Sequence, residues 1–173
     1  HRGKGWAVKN GILQAEGRYR FIADADLSMP VDNLGRFIPT AMKDFDIAIG
    51  SREAPGSHRF REPLARHLMG RTFNWIVRLF AVKGLRDTQC GFKCFQAQTA
   101  ELLFPLQTSN GFGFDVEILF IAQRKGLRIN EVPIDWHYHQ GSKVKPIRDS
   151  ILMLKDLVAV RLNAFWGRYG PKV

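Results

Sequence analysis

The sequence is poor in cysteine. Cys90 and Cys94 are the only two in 173 residues, and they lie within an apolar run that predicts a strand. Four positions apart on a strand, their Cα atoms would be separated by roughly 13 Å, which is beyond the reach of a disulfide. Two thiols also fall short of the four ligands that structural zinc requires. We therefore expect two buried or neutral thiols in a protein of a reducing compartment.

Long apolar runs are missing as well. No stretch approaches the roughly 20 apolar residues that span a bilayer, and no signal peptide is recognisable. The chain also lacks an initial Met and opens inside a motif-like stretch, HRGKG over residues 1–5. We expect that the N-terminal strands of the fold, and any membrane anchor before them, lie upstream of this sequence.

Acidic residues are scarce relative to basic ones. Sixteen Asp and Glu stand against 26 Lys and Arg, which gives a formal net charge of +10. Such an excess favours an anionic partner: a nucleotide, a lipid phosphate, an acidic membrane surface or a nucleic acid. The charge is the one feature that favours a nucleic acid, and no RNA-binding motif accompanies it. We therefore expect no nucleic-acid partner. The hydrophobic share of 45% suits one domain with a sizeable core.

Helical and extended patterns alternate along the chain. Helices are expected over residues 6–15, 31–42 with a kink at Pro39, 63–82, 97–103, 114–125 and 148–166. Strands are expected over residues 19–23, 45–50, 89–95 and 129–139, with a polar, basic loop over 52–62. This alternation predicts an α/β sheet covered by helices on both faces.

Two aspartates stand where the first strand ends. Asp24 and Asp26 follow an apolar strand, and residues 27–30 (LSMP) turn the chain immediately. Side chains two positions apart on an extended strand end point to the same side, so both carboxylates can converge on one divalent cation, or on a metal and a ribose hydroxyl. In open α/β sheets such strand ends face the ligand crevice.

The spacing of this pair is weak by itself, because Asp44/Asp46 and Asp115/Glu117 share it. Capping of the following helix is the alternative role for Asp24 and Asp26, as it is for Asp115. The delivery of the first pair by an apolar strand favours the metal or nucleotide site.

Basic side chains cluster after the second strand. Arg52 leaves that strand at the same sheet edge, and four more arginines follow within twenty residues: Arg59, Arg61, Arg66 and Arg71. Arginine forks suit bidentate capture of phosphate, although a solvated basic loop and helix is the alternative. Lys4, between two glycines before a helix, also suggests phosphate, but this is not a Walker loop.

The C-terminal region is basic and amphipathic. Residues 143–173 contain seven basic and two acidic side chains, and an apolar stripe runs along the expected helix: Ile151, Leu154, Val158, Leu162 and Phe165. Such a helix either packs on the domain or lies in a membrane interface, and the aromatic residues Phe165 and Trp166 at its end favour the interface.

Seven short motifs occur in an order and spacing that resemble the inverting family 2 glycosyltransferases, and within them the dolichyl-phosphate β-glucosyltransferase group. They are GKG (3–5), DADLSMP (24–30), GSR (50–52), RDTQCGFK (86–93), FDVE (114–117), EVPIDW (131–136) and GSK (141–143). The resemblance covers nearly the whole chain, and RDTQCGFK followed by FDVE is its most discriminating part.

The resemblance implies a GT-A (Rossmann-like) fold that is incomplete at its N-terminus. Residues 1–145 would form the catalytic domain, and residues 146–173 the basic amphipathic helix. Asp24 and Asp26 would hold a nucleotide diphosphate through Mg²⁺ or Mn²⁺.

Further site residues are implied by their positions in the same motifs. The donor or acceptor phosphates would be bound by Lys4, Arg52, Arg66 and Lys143, the last on a mobile acceptor-side loop. Asp87 would lie nearest the reacting centre, and Asp115 and Glu117 would line the site.

By the same resemblance, a hexose would be transferred with inversion to a polyprenyl or dolichyl phosphate at the cytoplasmic face of a membrane, by a protein that is peripheral or anchored by an upstream segment. Ser28 stands where related mannosyltransferases commonly have Gln, which favours glucose from UDP-glucose over mannose from GDP-mannose. No Gln-x-x-Arg-Trp motif is present, so a processive polysaccharide synthase is not expected. A sugar or protein acceptor remains the alternative.

Overall fold

The computed structural model describes residues 2–26, 28–37, 44–138 and 146–171, without the side chains of residues 65 and 146–149. In these ranges the helices are α1 (Lys4–Gln14), α2 (Leu64–Phe80), α3 (Ala97–Leu103), α4 (Phe114–Arg124) and α5 (Pro146–Phe165). The strands are β1 (Tyr19–Ile22), β2 (Ile47–Ser51), β3 (His58–Phe60), β4 (Lys93–Gln96), β5 (Ile129–Pro133) and β6 (Asp135–His137). Short 3-10 helices cover Val31–Phe37 and Phe104–Leu106.

The main sheet has the strand order β1-β4-β2-β5. Strand β4 is antiparallel to both β1 and β2, whereas β5 is parallel to β2. Strands β1, β2 and β5 therefore run in the same direction, and their carboxyl ends lie at one edge of the sheet together with the start of β4. This edge receives the residues that follow β1 and β2, as the sequence predicts.

A second, two-stranded sheet stands beyond that edge, where β3 pairs in parallel with β6. The prediction of one strand over residues 129–139 is wrong in its described part, because the chain leaves the main sheet after Pro133 and pairs with β3 from Asp135. Proline cannot donate a ladder hydrogen bond, which suits it to β5, an edge strand of the main sheet. The loop predicted over residues 52–62 also contains β3.

Apolar side chains cover both faces of the main sheet. Ile47 and Ile49 of β2 enter a large cluster with the helices, whereas Ala48 between them faces a second cluster that contains Phe37 and Phe92. This alternation follows from the two-residue period of a strand. In the described ranges the second face is covered by the 3-10 helix Val31–Phe37 and neighbouring aromatic residues rather than by an α-helix; residues 38–43, with the predicted kink, lie outside those ranges.

The two cysteines are free and buried. Burial raises the pKa of Cys90 to about 11 and that of Cys94 to about 12. Both are therefore neutral thiols near neutral pH.

Helix α5 packs on the domain through residues other than the predicted stripe. Leu157 and Val160 belong to the core, whereas every member of the stripe from Ile151 to Phe165 is exposed, and Phe165 is 85% exposed. The two sets lie on different sides of the helix, so α5 packs on the domain through one side and exposes the predicted stripe on another. Among the described helices, none has the length and apolarity needed to cross a membrane.

Candidate active site

Helix α1 and the end of β1 bring the first two predicted site residues together. The Lys4 ammonium donates to Asp24 Oδ1 at 2.5 Å. Burial by itself would lower the pKa of Lys4, but the charges of Asp115, Asp24 and Asp26 outweigh it and raise that pKa. Lys4 therefore stays charged and lies near three carboxylates that come from two separate motifs.

Asp24 rests against the turn that precedes β4. A Cβ atom built on Gly91 would lie only 1.8 Å from Asp24 Oδ2, so the carboxylate occupies the space that any larger residue would need. Asp26 is exposed, and its Oδ1 accepts a hydrogen bond from the Ser28 backbone amide at 3.0 Å. The turn after β1 is thereby closed by Asp26 itself.

A buried ion pair lies behind this cluster. Lys93, 1% exposed, donates to Asp115 Oδ1 and to the Cys90 carbonyl, each at 2.5 Å. Asp115 stands in the first turn of α4, where the helix dipole also favours a negative charge. Positive and negative charges thus alternate along the series Lys93, Asp115, Lys4 and Asp24. Sequence reasoning missed Lys93, although a lysine inside an apolar strand was a usable signal.

Arg52 and Asp87 form a second pair at the same sheet edge, in which Asp87 is buried and Arg52 is partly exposed. Arg52 Nε and Nη2 donate to Asp87 Oδ2 at 2.7 Å and Oδ1 at 2.9 Å, and the Arg52 backbone amide donates to Oδ2 at 3.0 Å. Burial alone would raise the pKa of Asp87, but the charge and hydrogen bonds of Arg52 lower it to about 2. Glu131 supports the pair by accepting from the Arg86 and Asp87 backbone amides, both at 2.9 Å.

Two of the arginines after β2, Arg52 and Arg59, are held by their neighbours. Arg59 pairs with Glu53 and Glu62, each at 2.5 Å. The guanidinium carbons of Arg52 and Arg59 lie 5.4 Å and 6.0 Å from the centre of the Trp136 ring. Two positive charges on one indole therefore bind the segment after β2 to β6.

Arg66, in the first turns of α2, lies over a different aromatic ring. Its guanidinium carbon is 5.0 Å from the centre of the Tyr138 ring. Lys143, which the sequence analysis places on an acceptor-side loop, lies outside the described residues.

Glu117 is completely buried on α4. Its carboxylate accepts from the Thr108 hydroxyl at 2.6 Å, from the Tyr169 hydroxyl at 2.7 Å, and from the backbone amides of Thr108 at 3.0 Å and Ser109 at 2.7 Å. These partners belong to the loop before α4 and to the turn after α5. In the described part of the chain, no hydrogen bond or ion pair joins Glu117 to another predicted site residue.

Two carboxylates at a strand end fit a magnesium or manganese ion that a diphosphate also binds, because such ions commonly take one or two protein carboxylates and complete their shell with phosphate and water. The described residues hold no group of three or more His, Cys, Asp and Glu side chains that could bind a metal alone.

Residues 1–100 match the family model described as glycosyl transferase family 2. The chain belongs to this family. Among curated proteins, it is 36% identical to dolichyl-phosphate beta-glucosyltransferase of Saccharomyces cerevisiae, over 98% of this chain and 54% of the relative. For the enzymes of the same name from Dictyostelium discoideum and Homo sapiens, the identities are 38% and 34%, over 96% and 98% of this chain. The chain spans about half the length of the curated relatives it matches.

Solved structures show a similar fold. Glucosyl-3-phosphoglycerate synthase from Mycobacterium tuberculosis in complex with UDP superposes with a TM-score of 0.61 at 20% identity, over 92% of this chain and 55% of that one. The same enzyme with Mn²⁺ and UDP-glucose gives a TM-score of 0.59 at 18% identity, over 99% of this chain and 56% of that one. The predicted GT-A-like fold is confirmed.

Proposed function

We propose that the protein transfers glucose from UDP-glucose to a polyprenyl phosphate, dolichyl phosphate in a eukaryote, with inversion at the anomeric carbon. The observation that carries the proposal is the cluster of Lys4, Asp24, Asp26 and Asp115 at the carboxyl edge of the sheet. The names of the curated relatives support the acceptor, and the UDP-glucose bound by the mycobacterial structure supports the donor.

Asp24 and Asp26 would hold Mg²⁺ or Mn²⁺ together with the donor diphosphate. When bound, the ion neutralises the negative charge that develops on the leaving diphosphate. Lys4 provides a fixed positive charge beside the same carboxylates, and its raised pKa keeps that charge near neutral pH. This part of the site therefore favours departure of the nucleoside diphosphate.

Asp87 is suited to positioning rather than proton transfer. With a pKa of about 2 it is ionised throughout the physiological range, and both of its oxygens accept from Arg52. A lipid monophosphate is already ionised near neutral pH and needs little help from a general base. We therefore assign to Asp87 the task of holding Arg52 for a phosphate group, and to Asp115 the task of holding Lys4 electrostatically.

The exposed apolar side chains support a membrane surface as a partner. On α5 the whole predicted stripe is exposed, and on α2 the exposed residues include Leu64 at 80%, Leu68 at 63% and Trp75 at 61%. A polyprenyl phosphate is presented at a bilayer, so a peripheral contact through residues 146–173 would bring residues 1–145 to the acceptor. We place this contact at the cytoplasmic face, with or without an anchor outside this chain.

The test is glucose transfer by the full-length protein from UDP-glucose to dolichyl phosphate in detergent, with GDP-mannose and a free sugar acceptor offered in parallel. We expect glucosyl lipid from the first pair of substrates and loss of at least about a hundredfold in rate for Asp26→Asn. Transfer from GDP-mannose alone, or to the free sugar alone, would overturn the substrate assignment. An active Asp26→Asn variant would overturn the metal role.

A further inference from the structure

A loop between the C-terminal helix and the candidate site has no role in the function proposed above. Residues 107–113, here called the clasp loop, connect the 3-10 helix Phe104–Leu106 with α4. One side of the clasp loop contacts the turn that carries Lys4, and the other side is bonded to α5 and the residues after it.

The contact with the Lys4 turn is made by backbone groups and by the Gln107 side chain. The Trp6 amide donates to the Asn110 carbonyl at 3.3 Å, and Gln107 Nε2 donates to the Gly5 carbonyl at 2.9 Å. A Cβ atom on Gly3 would lie 2.2 Å from the Asn110 carbonyl oxygen, and one on Gly5 would lie 2.6 Å from that of Ser109. Both glycines that flank Lys4 thus fit directly against the clasp loop, and the loop sets the position of the lysine.

Helix α5 holds the opposite side of the clasp loop with polar side chains. Asp156 Oδ2 accepts from Ser109 Oγ and from the Gly113 amide, both at 3.2 Å. Asn163 donates to Thr108 Oγ1 at 3.1 Å and to the Tyr169 hydroxyl at 3.3 Å. Asn163 and Tyr169 are buried, and the Tyr169 hydroxyl donates to the same Glu117 carboxylate that accepts from the clasp loop.

The fit of Asp156 depends on a glycine. A Cβ atom on Gly113 would lie 2.2 Å from Asp156 Oδ2 and 2.4 Å from its Cβ. Gly113 has φ −67° and ψ −11°, a conformation that alanine adopts freely, so the backbone does not require a glycine there and the close approach of Asp156 does. Burial raises the pKa of Asp156, and the nearby charge of Glu117 adds to the effect. The carboxylate is thus kept against the loop although its surroundings disfavour the charge.

We infer that Asp156 is a positioning residue for the donor site: through the clasp loop it holds the Gly3–Gly5 turn so that Lys4 meets Asp24. A chain of direct contacts then links α5, whose opposite side carries the exposed apolar stripe, to the lysine that we assign to the donor diphosphate. The consequence for donor binding rests on the proposed function, but the consequence for the loop and for Lys4 does not.

Hydrogen exchange in the full-length protein tests the structural part without any substrate. In Asp156→Ala, amides of residues 3–9 and 107–113 should exchange about tenfold faster than in the wild type. The hydrogen bonds of Asp156 no longer have to break for the loop to open locally, so opening costs less free energy. Leu157→Ala, which removes a core side chain of the same helix, is the matched control, with each variant measured equally far below its own Tm. Unchanged exchange at residues 3–9 in Asp156→Ala, or the same pattern in Leu157→Ala, would overturn the inference.

Two further variants separate shape from charge. Asp156→Asn keeps an oxygen that can accept from Ser109 and Gly113, and it should restore exchange rates to within about twofold of the wild type. Gly113→Ala should reproduce Asp156→Ala, because the added methyl group displaces the carboxylate. A Gly113→Ala variant with wild-type exchange over residues 3–9 would contradict the proposed fit.

Kinetics test the consequence for the donor. Asp156→Ala should raise the KM for UDP-glucose about tenfold, the effect of one hydrogen bond to a charged group, with the KM for dolichyl phosphate unchanged. An equal rise in both KM values would indicate general loosening and would overturn the donor-specific role. If the wild type transfers no glucose from UDP-glucose, the proposed function fails, while the exchange experiment still decides the role of Asp156.

Discussion

At the scale of single residues, several charges of the candidate site are already paired. Arg52 and Asp87 pair through two side-chain hydrogen bonds, and Lys93 and Asp115 form a pair of which both members are almost fully buried. Removing one member of such a pair leaves the other buried without a counter-charge, which costs more than the pair contributes. The site residues should therefore affect stability as well as activity.

Asp87→Asn provides a test with a defined pH dependence. The pKa of Asp87 is lowered to about 2 in the folded protein, so its contribution is fully present above the unfolded pKa and is lost as the pH falls through about 2. We expect the free energy of unfolding to fall by roughly 3 kcal/mol at neutral pH, and the difference from the wild type to shrink between about pH 4 and pH 2.

Urea unfolding at a series of pH values measures this difference. Asp46→Asn is the matched control. Asp46 pairs with the largely exposed Arg128 at 3.4 Å and accepts from the Arg128 backbone amide at 2.7 Å. Because asparagine can still accept from that amide, the substitution should cost no more than about 1 kcal/mol. An Asp87→Asn deficit that is as large near pH 2 as at neutral pH would contradict the lowered pKa.

Gly91→Ala tests the close approach of Asp24 to the turn before β4. The new Cβ atom would overlap Asp24 Oδ2, so the carboxylate must move away from its place beside Lys4. We expect the rate of glucose transfer to fall at least about tenfold, with little change in Tm. Gly11→Ala in α1, where a Cβ atom meets nothing within 4 Å, should keep full activity and gain up to about 1 kcal/mol in stability. Full activity of Gly91→Ala would show that the position of Asp24 is unimportant.

At the scale of elements, sequence periodicity located long helices and strands but did not locate short ones. It identified α2, α4 and β1 to within about two residues. It did not find β3, because three residues contain too little of a period, and it did not divide residues 129–139, because Ile134 between β5 and β6 is as apolar as the strands it separates.

Helix α5 shows a second limit. Its sequence has apolar residues on more than one side, so periodicity alone could not choose Leu157 and Val160, which pack in the core, over the exposed stripe. Lys93 and Asp156 were missed because their partners lie 22 and 43 residues away along the chain, a distance at which local pattern carries no information.

The exposed stripe of α5 supplies the prediction for this element. Replacing Val158 and Leu162 together with Gln should leave Tm within a few degrees of the wild type, since both side chains are exposed. The same variant should bind vesicles of a zwitterionic and an anionic lipid several-fold more weakly in sedimentation assays, because apolar burial drives interfacial binding. Arg161→Gln, between the two positions, is the control for the electrostatic contribution to vesicle binding. Equal vesicle binding by wild type and double variant would exclude the stripe as the membrane contact.

At the scale of the whole molecule, the family and the GT-A-like fold follow from the ordered motifs, and both are confirmed. The individual residue roles stay predictions, because motifs name residues without showing their partners. Glu117 illustrates this: its motif suggested a residue lining the site, whereas its hydrogen bonds tie α4 to the clasp loop and to Tyr169.

The central claim is a metal-dependent donor site built on Asp24 and Asp26, and calorimetric titration of the full-length protein with UDP-glucose tests it most directly. With Mn²⁺ present we predict saturable binding that weakens at least about tenfold when the metal is removed by chelation, and by a similar factor in Asp24→Asn and Asp26→Asn. Binding of UDP-glucose that is equally tight without metal and in both variants would contradict the account.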